Sequence, residues 1–350
     1  MVVLQVIDSL YRGGAQKVVL DIVRALSQHK HIVCYWTNET DLRDEFLKEG
    51  VTLIQLPFTG TRTIFKTYFF LKNVVAKYRP DVIHSHMFIP NLLTRLLPKK
   101  FALMSTYHGE VFVKSGIRNS LIIILEKWTL SRCDVVIAVS NYVKDYLSIK
   151  LKTGRIIEVV HNYGESSQIN KPYAVQVPLR LVATSNNQPY KDYPLLINTM
   201  AALSDKPIIL DIYGNGMDSL KSLVAELKIS NVKFCGVIPD VTKVLKNYSA
   251  YIIASHSGEG FSLSLLEAIN AGLPVICSNI PQFTEAVGEE AIVFEKSNMK
   301  DLVHKLTEVI EQPETLLSKA KGISNRALLF SKQNFLKNIT DIYNRYDKRG

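Results

Sequence analysis

Tyr251-Ile-Ile-Ala-Ser-His-Ser-Gly-Glu-Gly-Phe-Ser-Leu-Ser-Leu-Leu-Glu-Ala-Ile-Asn-Ala-Gly-Leu-Pro-Val-Ile-Cys-Ser278 reads as a strand, a glycine-containing loop, a helix and a second strand. Ser262 stands where a helix N-cap belongs and Gly272 where a helix stops, and Pro274 bars continuation. A helix that starts directly beyond a strand and such a loop turns its unpaired N–H groups and positive dipole end outward. A diphosphate suits that position. Glu259 lies in the loop and Glu267 about one turn into the helix, so both carboxylates are placed to accept hydrogen bonds from sugar hydroxyls. Carboxylates beside a diphosphate would repel it. A ligand that is part polyol and part phosphate accounts for both features.

Outward from this stretch, apolar runs of strand length alternate with amphipathic runs of helix length. The first half gives strands at Val2–Ile7, Ile32–Trp36, Val51–Leu56, Asp81–His86, Leu103–Tyr107, Val135–Val139 and Ile156–Val160. Helices fall between them, at Gln16–Leu26, Leu42–Lys48, Ile64–Tyr78, Leu92–Leu97, Ser120–Leu130 and Asn141–Leu151. That alternation predicts a parallel sheet covered by helices. Periodicity lapses over residues 163–179, where Gly, Ser, Asn and Pro collect, and a second alternating series begins at Leu181. The expectation is an α/β protein with two Rossmann-like, doubly wound domains, 1–165 and 166–330, facing a ligand cleft at the carboxyl ends of both sets of strands. The last segment, 331–350, is expected to be a helix crossing back to the first domain.

Composition narrows the classes. Hydrophobic content of 47% with 21% charged residues is that of a folded protein. Met1–Asp8 runs directly into a strand pattern without the regions of a signal peptide, and apolar runs fall short of the roughly 20 residues of a membrane-spanning helix. The expectation is therefore a cytoplasmic protein. Cys34, Cys133, Cys235 and Cys277 stand singly in apolar surroundings and are expected to be reduced core thiols. Residues 1–170 hold 22 Lys and Arg against 14 Asp and Glu, and the remainder 20 against 18, for a net charge of +10. Such an excess suits an anionic membrane, a phosphorylated substrate or simply a solubilised surface. Nucleic acid is not expected, because no recognisable module for it accompanies the charge.

Glu259 through Glu267 resembles the E-x7-E motif of retaining GT-B glycosyltransferases, in particular family 4, the group 1 type. Other matches fall in the family's order along nearly the whole chain: Gly13-Gly14, His108-Gly109, Val139-Ser140-Asn141, Asn162, Lys191, Gly214-Asn-Gly216, Gly236, and Glu267 to Val275. The resemblance implies a GT-B fold and transfer of a hexosyl or N-acetylhexosaminyl group from a nucleotide-diphosphate sugar, with retention of configuration. The acceptor it implies is a glycan or a polyprenyl-diphosphate-linked sugar, in bacterial surface polysaccharide synthesis. Glu259 would contact the transferred sugar, the backbone of Phe261, Ser262 and Leu263 the diphosphate, and Glu267 the ribose. Lys191 would neutralise the leaving diphosphate, His108 would bond the donor sugar, Gly13 and Gly14 would let a phosphate approach, and Gly236 and Val237 would meet the base. No cofactor and no metal are implied. His84 and His86 are expected on opposite faces of their strand, hence as structural or acceptor-lining groups rather than joint metal ligands.

The chain departs from the family where Gly-Arg commonly opens the second domain. Ser185 and Asn186 stand there, so one phosphate-binding cation is missing and Asn186 brings hydrogen bonds but no charge. Residues 50–80 contain Arg62, Lys66, Lys72, Lys77 and Arg79 but no acid, and Phe65, Phe69 and Phe70 widen an apolar helical face. Two readings of this helix stay open, a core helix with a basic solvated side and a helix lying on an anionic membrane at the inner face of the cell. Two rivals to transfer also stay open: a nucleotide-sugar epimerase of the same architecture, and a non-catalytic homologue that supports a partner enzyme.

Overall fold

The computed structural model describes residues 1–110, 117–165, 173, 177–238 and 240–347. Contacts divide the chain into two units, Met1–His161 with Phe335–Gly350, and Asn162–Asn334. Most of the connection expected over 163–179 lies outside the described residues.

The first unit runs β1 (Val2–Val6), α1 (Gly14–Ala25), β2 (Lys30–Tyr35), α2 (Arg43–Lys48), β3 (Thr52–Gln55), α3 (Ile64–Tyr78), β4 (Val82–His86), α4 (Phe88–Arg95), β5 (Ala102–Tyr107), α5 (Ile117–Leu130), β6 (Val135–Ala138), α6 (Asn141–Leu151) and β7 (Glu158–Val159). Its strands are rich in Val and Ile, whose branched side chains suit a pleated, buried surface. They form one parallel sheet in the order β3-β2-β1-β4-β5-β6-β7. Because crossovers are right-handed, the reversal between β1 and β4 sends the helices on its two sides to opposite faces. Ile7, Leu10, Val19, Val23 and Phe46 are among the fully buried residues of one core. Each such side chain contributes about 1.5–3 kcal/mol by leaving water.

One polar cluster is also buried. Arg95 at the end of α4 donates to Glu126 of α5 at 2.6 Å and to the Tyr107 hydroxyl at 2.7 Å, and that hydroxyl donates to Glu126 at 2.6 Å. Arg95 and Glu126 are both inaccessible to solvent. The cluster pins α5 to α4 and β5.

The second unit runs β8 (Leu179–Thr184), α7 (Tyr193–Ala202), β9 (Ile208–Tyr213), α8 (Asp218–Leu227), β10 (Val232–Gly236), α9 (Thr242–Leu245), β11 (Ala250–Ile253), α10 (Leu263–Asn270), β12 (Val275–Ser278), α11 (Pro281–Val287), β13 (Ile292–Phe294), α12 (Met299–Glu311) and α13 (Thr315–Ala327). The last helix of the chain is α14 (Lys332–Asn344). The second sheet is also parallel, in the order β10-β9-β8-β11-β12-β13, and it reverses between β8 and β11. Leu181, Ile197, Ile212, Ile276 and Leu306 centre its core.

Gly272 ends α10 with φ +64, a left-handed position glycine takes without strain. Ser262 holds the N-cap position of α10, but its hydroxyl makes no capping bond and pairs with Ser264 Oγ at 3.1 Å instead. Cys34, Cys133 and Cys277 are buried, whereas Cys235, near the end of an edge strand, is only half-buried. Among the described residues no helix is long and apolar enough to cross a membrane.

Candidate functional site

In the second unit, the loops after β8 and β11 leave the sheet on either side of its reversal, where doubly wound sheets bind ligands. The loop after β8 ends in a single 3-10 turn, Pro189–Lys191. The loop after β11 carries Glu259 and leads into α10. Two bonds hold these loops together: His256 N–H donates to the Tyr190 carbonyl at 3.0 Å, and His256 Nε2 lies 3.2 Å from the Pro189 carbonyl. Gly258, at φ +75, packs against the Tyr190 ring, where an added Cβ would stand 3.2 Å from ring carbons.

This clamp brings Lys191 Nζ to 2.5 Å from Glu259 Oε1. Their relative exposures are 8% and 5%, so the pair sits out of bulk water. Ser255 Oγ donates to the same carboxylate oxygen at 2.9 Å, and Gln282 Nε2 donates to the Glu259 carbonyl at 3.0 Å. The sequence assigned Lys191 and Glu259 to different parts of a ligand; the structure joins them. Lys191 has three donors, so pairing with one carboxylate leaves capacity to meet an anion.

Phe261, Ser262 and Leu263 form the turn into α10. Asn162 Nδ2 donates to the Phe261 carbonyl at 3.0 Å, and the Phe261 ring meets Phe330 edge-on at 5.2 Å, so this turn is fixed from both sides. Glu267 lies one turn along α10 and half-buried, close enough for its charge to help burial raise the Tyr251 hydroxyl above its ordinary range.

The loops after β8, β9 and β10 are also stitched together. Asn186 is exposed and its Oδ1 accepts from the Asn215 N–H at 2.9 Å, while Asn187 N–H donates to the Asn215 carbonyl at 2.9 Å. Where the family commonly has a cation, this chain has a loop clamp. Gly214 N–H donates to the Gly236 carbonyl at 2.9 Å, and a Cβ on Gly214 would lie 2.2 Å from the Ser185 carbonyl oxygen. Gly236 adopts φ +72 and Val237 beside it is 54% exposed.

In the first unit, Gly13 precedes Gly14 at the start of α1, and a Cβ there would strike the Tyr11 ring at 2.5 Å. His108 follows β5. His84 and His86 correct the expectation of opposite faces: residues two apart in a pleated strand share a face, and their rings lie 4.1 Å apart. His86 Nδ1 is 3.1 Å from His108 Nε2. Burial pushes His108 down to about 4 and His84 to about 3, and His86 well below the ordinary imidazole range. All three are neutral near pH 7. Among the described residues no group of three or more His, Cys, Asp or Glu is placed to hold a metal ion.

Arg62, Lys66, Phe69 and Lys72 all lie exposed on or just before α3, with Phe65 76% exposed. Lys72 also borders an open groove of about 1040 Å³ with Arg79, Lys99 and Asp134, at the amino ends of the strands. That is the end of the sheet opposite to His108 and Gly13.

Sequence reasoning missed Ser255, Gln282 and Tyr190, which hold Glu259 and its loop, and Gln5 and Tyr343, which hold the histidines. Only Ser255, four residues before Glu259, carried a local signal.

Comparison with known proteins agrees with this fold. The model of glycosyl transferases group 1 matches residues 175–327, and that of glycosyltransferase family 4 matches residues 12–163. An uncharacterized glycosyltransferase of Methanocaldococcus jannaschii is 24% identical, with 95% of each chain covered. The N,N'-diacetylbacillosaminyl-diphospho-undecaprenol alpha-1,3-N-acetylgalactosaminyltransferase of Campylobacter jejuni is 21% identical, covering 94% of this chain and 95% of that protein. The structure of Anabaena HepE in complex with UDP and glucose superposes with a TM-score of 0.82 at 16% identity, covering 99% of this chain and all of that one, which establishes the GT-B fold. With both family models matched in order over most of its length, the chain belongs to the group 1, family 4 glycosyltransferases.

Proposed function

We propose that the enzyme moves a hexosyl or N-acetylhexosaminyl group from a nucleoside-diphosphate sugar to a glycan or polyprenyl-diphosphate-linked acceptor, with retention of configuration. The observation that carries this reading is the buried Lys191–Glu259 pair beside the amino end of α10. A sugar hydroxyl donates to Glu259, and the leaving diphosphate takes the remaining Lys191 donors and the helix end. Negative charge grows on the leaving oxygen in the transition state, and a fixed ammonium stabilises it most where water is excluded. Glu259 and Ser255 hold that ammonium in one place beforehand, so no reorganisation is needed as charge develops. Phe261, Ser262 and Leu263 supply the turn that meets the diphosphate, Glu267 binds the ribose, and Gly236 and Val237 meet the base. In the first unit, Gly13 and Gly14 admit phosphate and His108 bonds the donor sugar.

The acceptor side rests on two supports. The Campylobacter relative carries a diphospho-undecaprenol-linked substrate in its name. In this chain, α3 exposes Phe65 and Phe69 among Arg62, Lys66 and Lys72, while α5 exposes Ile124 and Trp128, each 64%, beside Lys127. Tyr68 Oη of α3 donates to the Leu96 carbonyl, and Arg132 just beyond α5 donates to the Leu97 carbonyl, so one segment joins the two helices. Exposed aromatics ringed by cations fit an anionic lipid surface, and they support a peripheral position on the inner face of the cell membrane.

A thermal-shift screen against UDP-, GDP- and ADP-linked glucose and N-acetylglucosamine tests the donor class. One nucleotide series should raise the melting temperature of the native chain and fail to do so for Glu267→Ala. Equal or absent shifts across the panel would remove the donor assignment.

A further inference from the structure

Three imidazoles, two of them wholly buried and His108 half-buried, belong to one chain of hydrogen bonds in the first unit. It runs from Thr106 Oγ1 to His84 Nε2 (2.7 Å), from His84 Nδ1 to Tyr343 Oη (2.7 Å), from Tyr343 to Gln5 Nε2 (2.9 Å), from Gln5 Oε1 to His86 Nε2 (2.9 Å), and from His86 Nδ1 to His108 Nε2 (3.1 Å). Gln5, His84, His86 and Tyr343 are wholly buried. Glycosyl transfer as proposed above uses His108 alone and leaves the rest without a role.

A neutral imidazole has one N–H and one lone pair, so such a chain has a direction. Gln5 sets it. Its Nε2 donates to Tyr343 and its Oε1 accepts, so His86 must carry its proton on Nε2. His86 Nδ1 is then a lone pair and accepts from His108 Nε2–H. His108 keeps Nδ1 as a lone pair on the other side of its ring. At the far end, the Tyr343 hydroxyl donates a hydrogen bond to His84 Nδ1, and His84 Nε2–H donates to Thr106. Reversing the Gln5 amide would reverse every link, so the tautomers themselves are the observable.

We infer that Gln5 and Tyr343 are positioning residues that hold His108 in the Nε2–H tautomer, presenting Nδ1 as a hydrogen-bond acceptor to the donor sugar. This rests on the reading of His108 as a donor contact. An acceptor there accepts a hydrogen bond from a sugar hydroxyl and donates none, so it favours donors bearing a hydroxyl at that point over their deoxy analogues. Tyr343 lies on the last helix, 338 residues from Gln5, and each is needed for the other's role. Without Tyr343 the Gln5 amide is free to turn, His86 is free to carry its proton on Nδ1, and His108 then exposes an N–H.

Nitrogen NMR of histidine side chains in the full-length protein tests the direction. At pH 7, His84, His86 and His108 should each be protonated on Nε2, and His108 should become a mixture of tautomers in Tyr343→Phe, which removes one oxygen only. A wild-type His108 protonated on Nδ1 overturns the inference. Hydrolysis of UDP-, GDP- and ADP-linked glucose and N-acetylglucosamine tests the consequence. Gln5→Leu and Tyr343→Phe should lower kcat for the accepted donor about tenfold with little change in KM, and should add nothing in a His108→Gln background. The same tenfold loss in that background would mark both as merely structural and sink the positioning role. Full activity of His108→Gln would instead defeat the donor reading, and with it the positioning role, whereas the spectrum judges the tautomers separately.

Discussion

Lys191→Ala would leave the Glu259 carboxylate, 5% exposed, with its charge uncompensated inside the second unit. Breaking a buried pair from one side costs about 3–5 kcal/mol. The Ser255 hydroxyl, 2.9 Å away, still donates to the carboxylate and offsets about 1 kcal/mol. The expected destabilisation is therefore about 2–4 kcal/mol, and Glu259→Gln, which strands the ammonium, should fall in the same range. Lys191→Met alone should cost the same, and combining it with Glu259→Gln removes both charges, so the double variant should return to within about 1 kcal/mol of the native chain, a coupling of at least about 3 kcal/mol. Turnover should not return, because an ammonium acting on developing charge is worth about 100- to 1000-fold. Both tryptophans, Trp36 and Trp128, lie in the first unit, so their fluorescence during urea unfolding serves as an internal reference. The change should appear in the circular dichroism transition of the second unit. Single variants with unchanged midpoints, or a double variant whose loss is the sum of the singles, would refute the coupled pair.

Other consequences are open to measurement. Arg95→Met alone strands the buried Glu126 charge and should cost about 3–5 kcal/mol, read as a lower urea midpoint in tryptophan fluorescence, since Trp128 lies on the same helix as Glu126. Gly214→Ala puts a Cβ 2.2 Å from a backbone oxygen at φ +147, so it should destabilise by more than about 1 kcal/mol and raise the KM for the donor as the Ser185–Lys191 loop shifts. His84, His86 and His108 give a pH dependence of defined sign. Their folded values lie below the unfolded value of about 6.5, so the unfolded chain binds more protons as pH falls, and the stability present above pH 6.5 is lost towards pH 4. For His108 alone that is about 2 kcal/mol between pH 7 and 5, and its proton resonances should not titrate over that interval while the protein stays folded. Phe69→Ser with Trp128→Ser should abolish sedimentation with anionic vesicles at low salt and leave the melting temperature unchanged, because both side chains are exposed; sedimentation equal to the native chain would contradict a lipid-facing surface.

Much of the architecture was legible because local patterns set it. Alternating apolar runs located the seven strands of the first unit within a few residues, and the repeat from Ile64 to Tyr78 marked α3 to its ends. The turn between β11 and α10 was readable because a strand, two glycines and a stop at Gly272 constrain one another over a short span. What was not legible depends on chain segments brought together by the sheet. Nothing near Glu259 announces Lys191 as its partner, and nothing near His84 announces Tyr343, since the hydrogen bonds join residues far apart in sequence. Asn186 illustrates the same limit. As a residue it reads as a missing cation, whereas in the fold its side chain is committed to the Asn215 amide. Periodicity left the use of α3 open between two readings; in the fold Phe65, Phe69 and Phe70 face solvent, while Thr67, Leu71 and Val74 are its buried residues.

Under the proposed function a nucleoside diphosphate lies between the Lys191–Glu259 pair, the start of α10 and Glu267. Calorimetric titration of UDP, GDP and ADP into the native chain and into Glu267→Ala tests it most directly. One nucleotide should bind with a defined stoichiometry of one, and Glu267→Ala should weaken it at least tenfold, about 1.4 kcal/mol, by removing the carboxylate proposed to meet the ribose. No binding by any of the three, or an affinity indifferent to Glu267, would contradict the account.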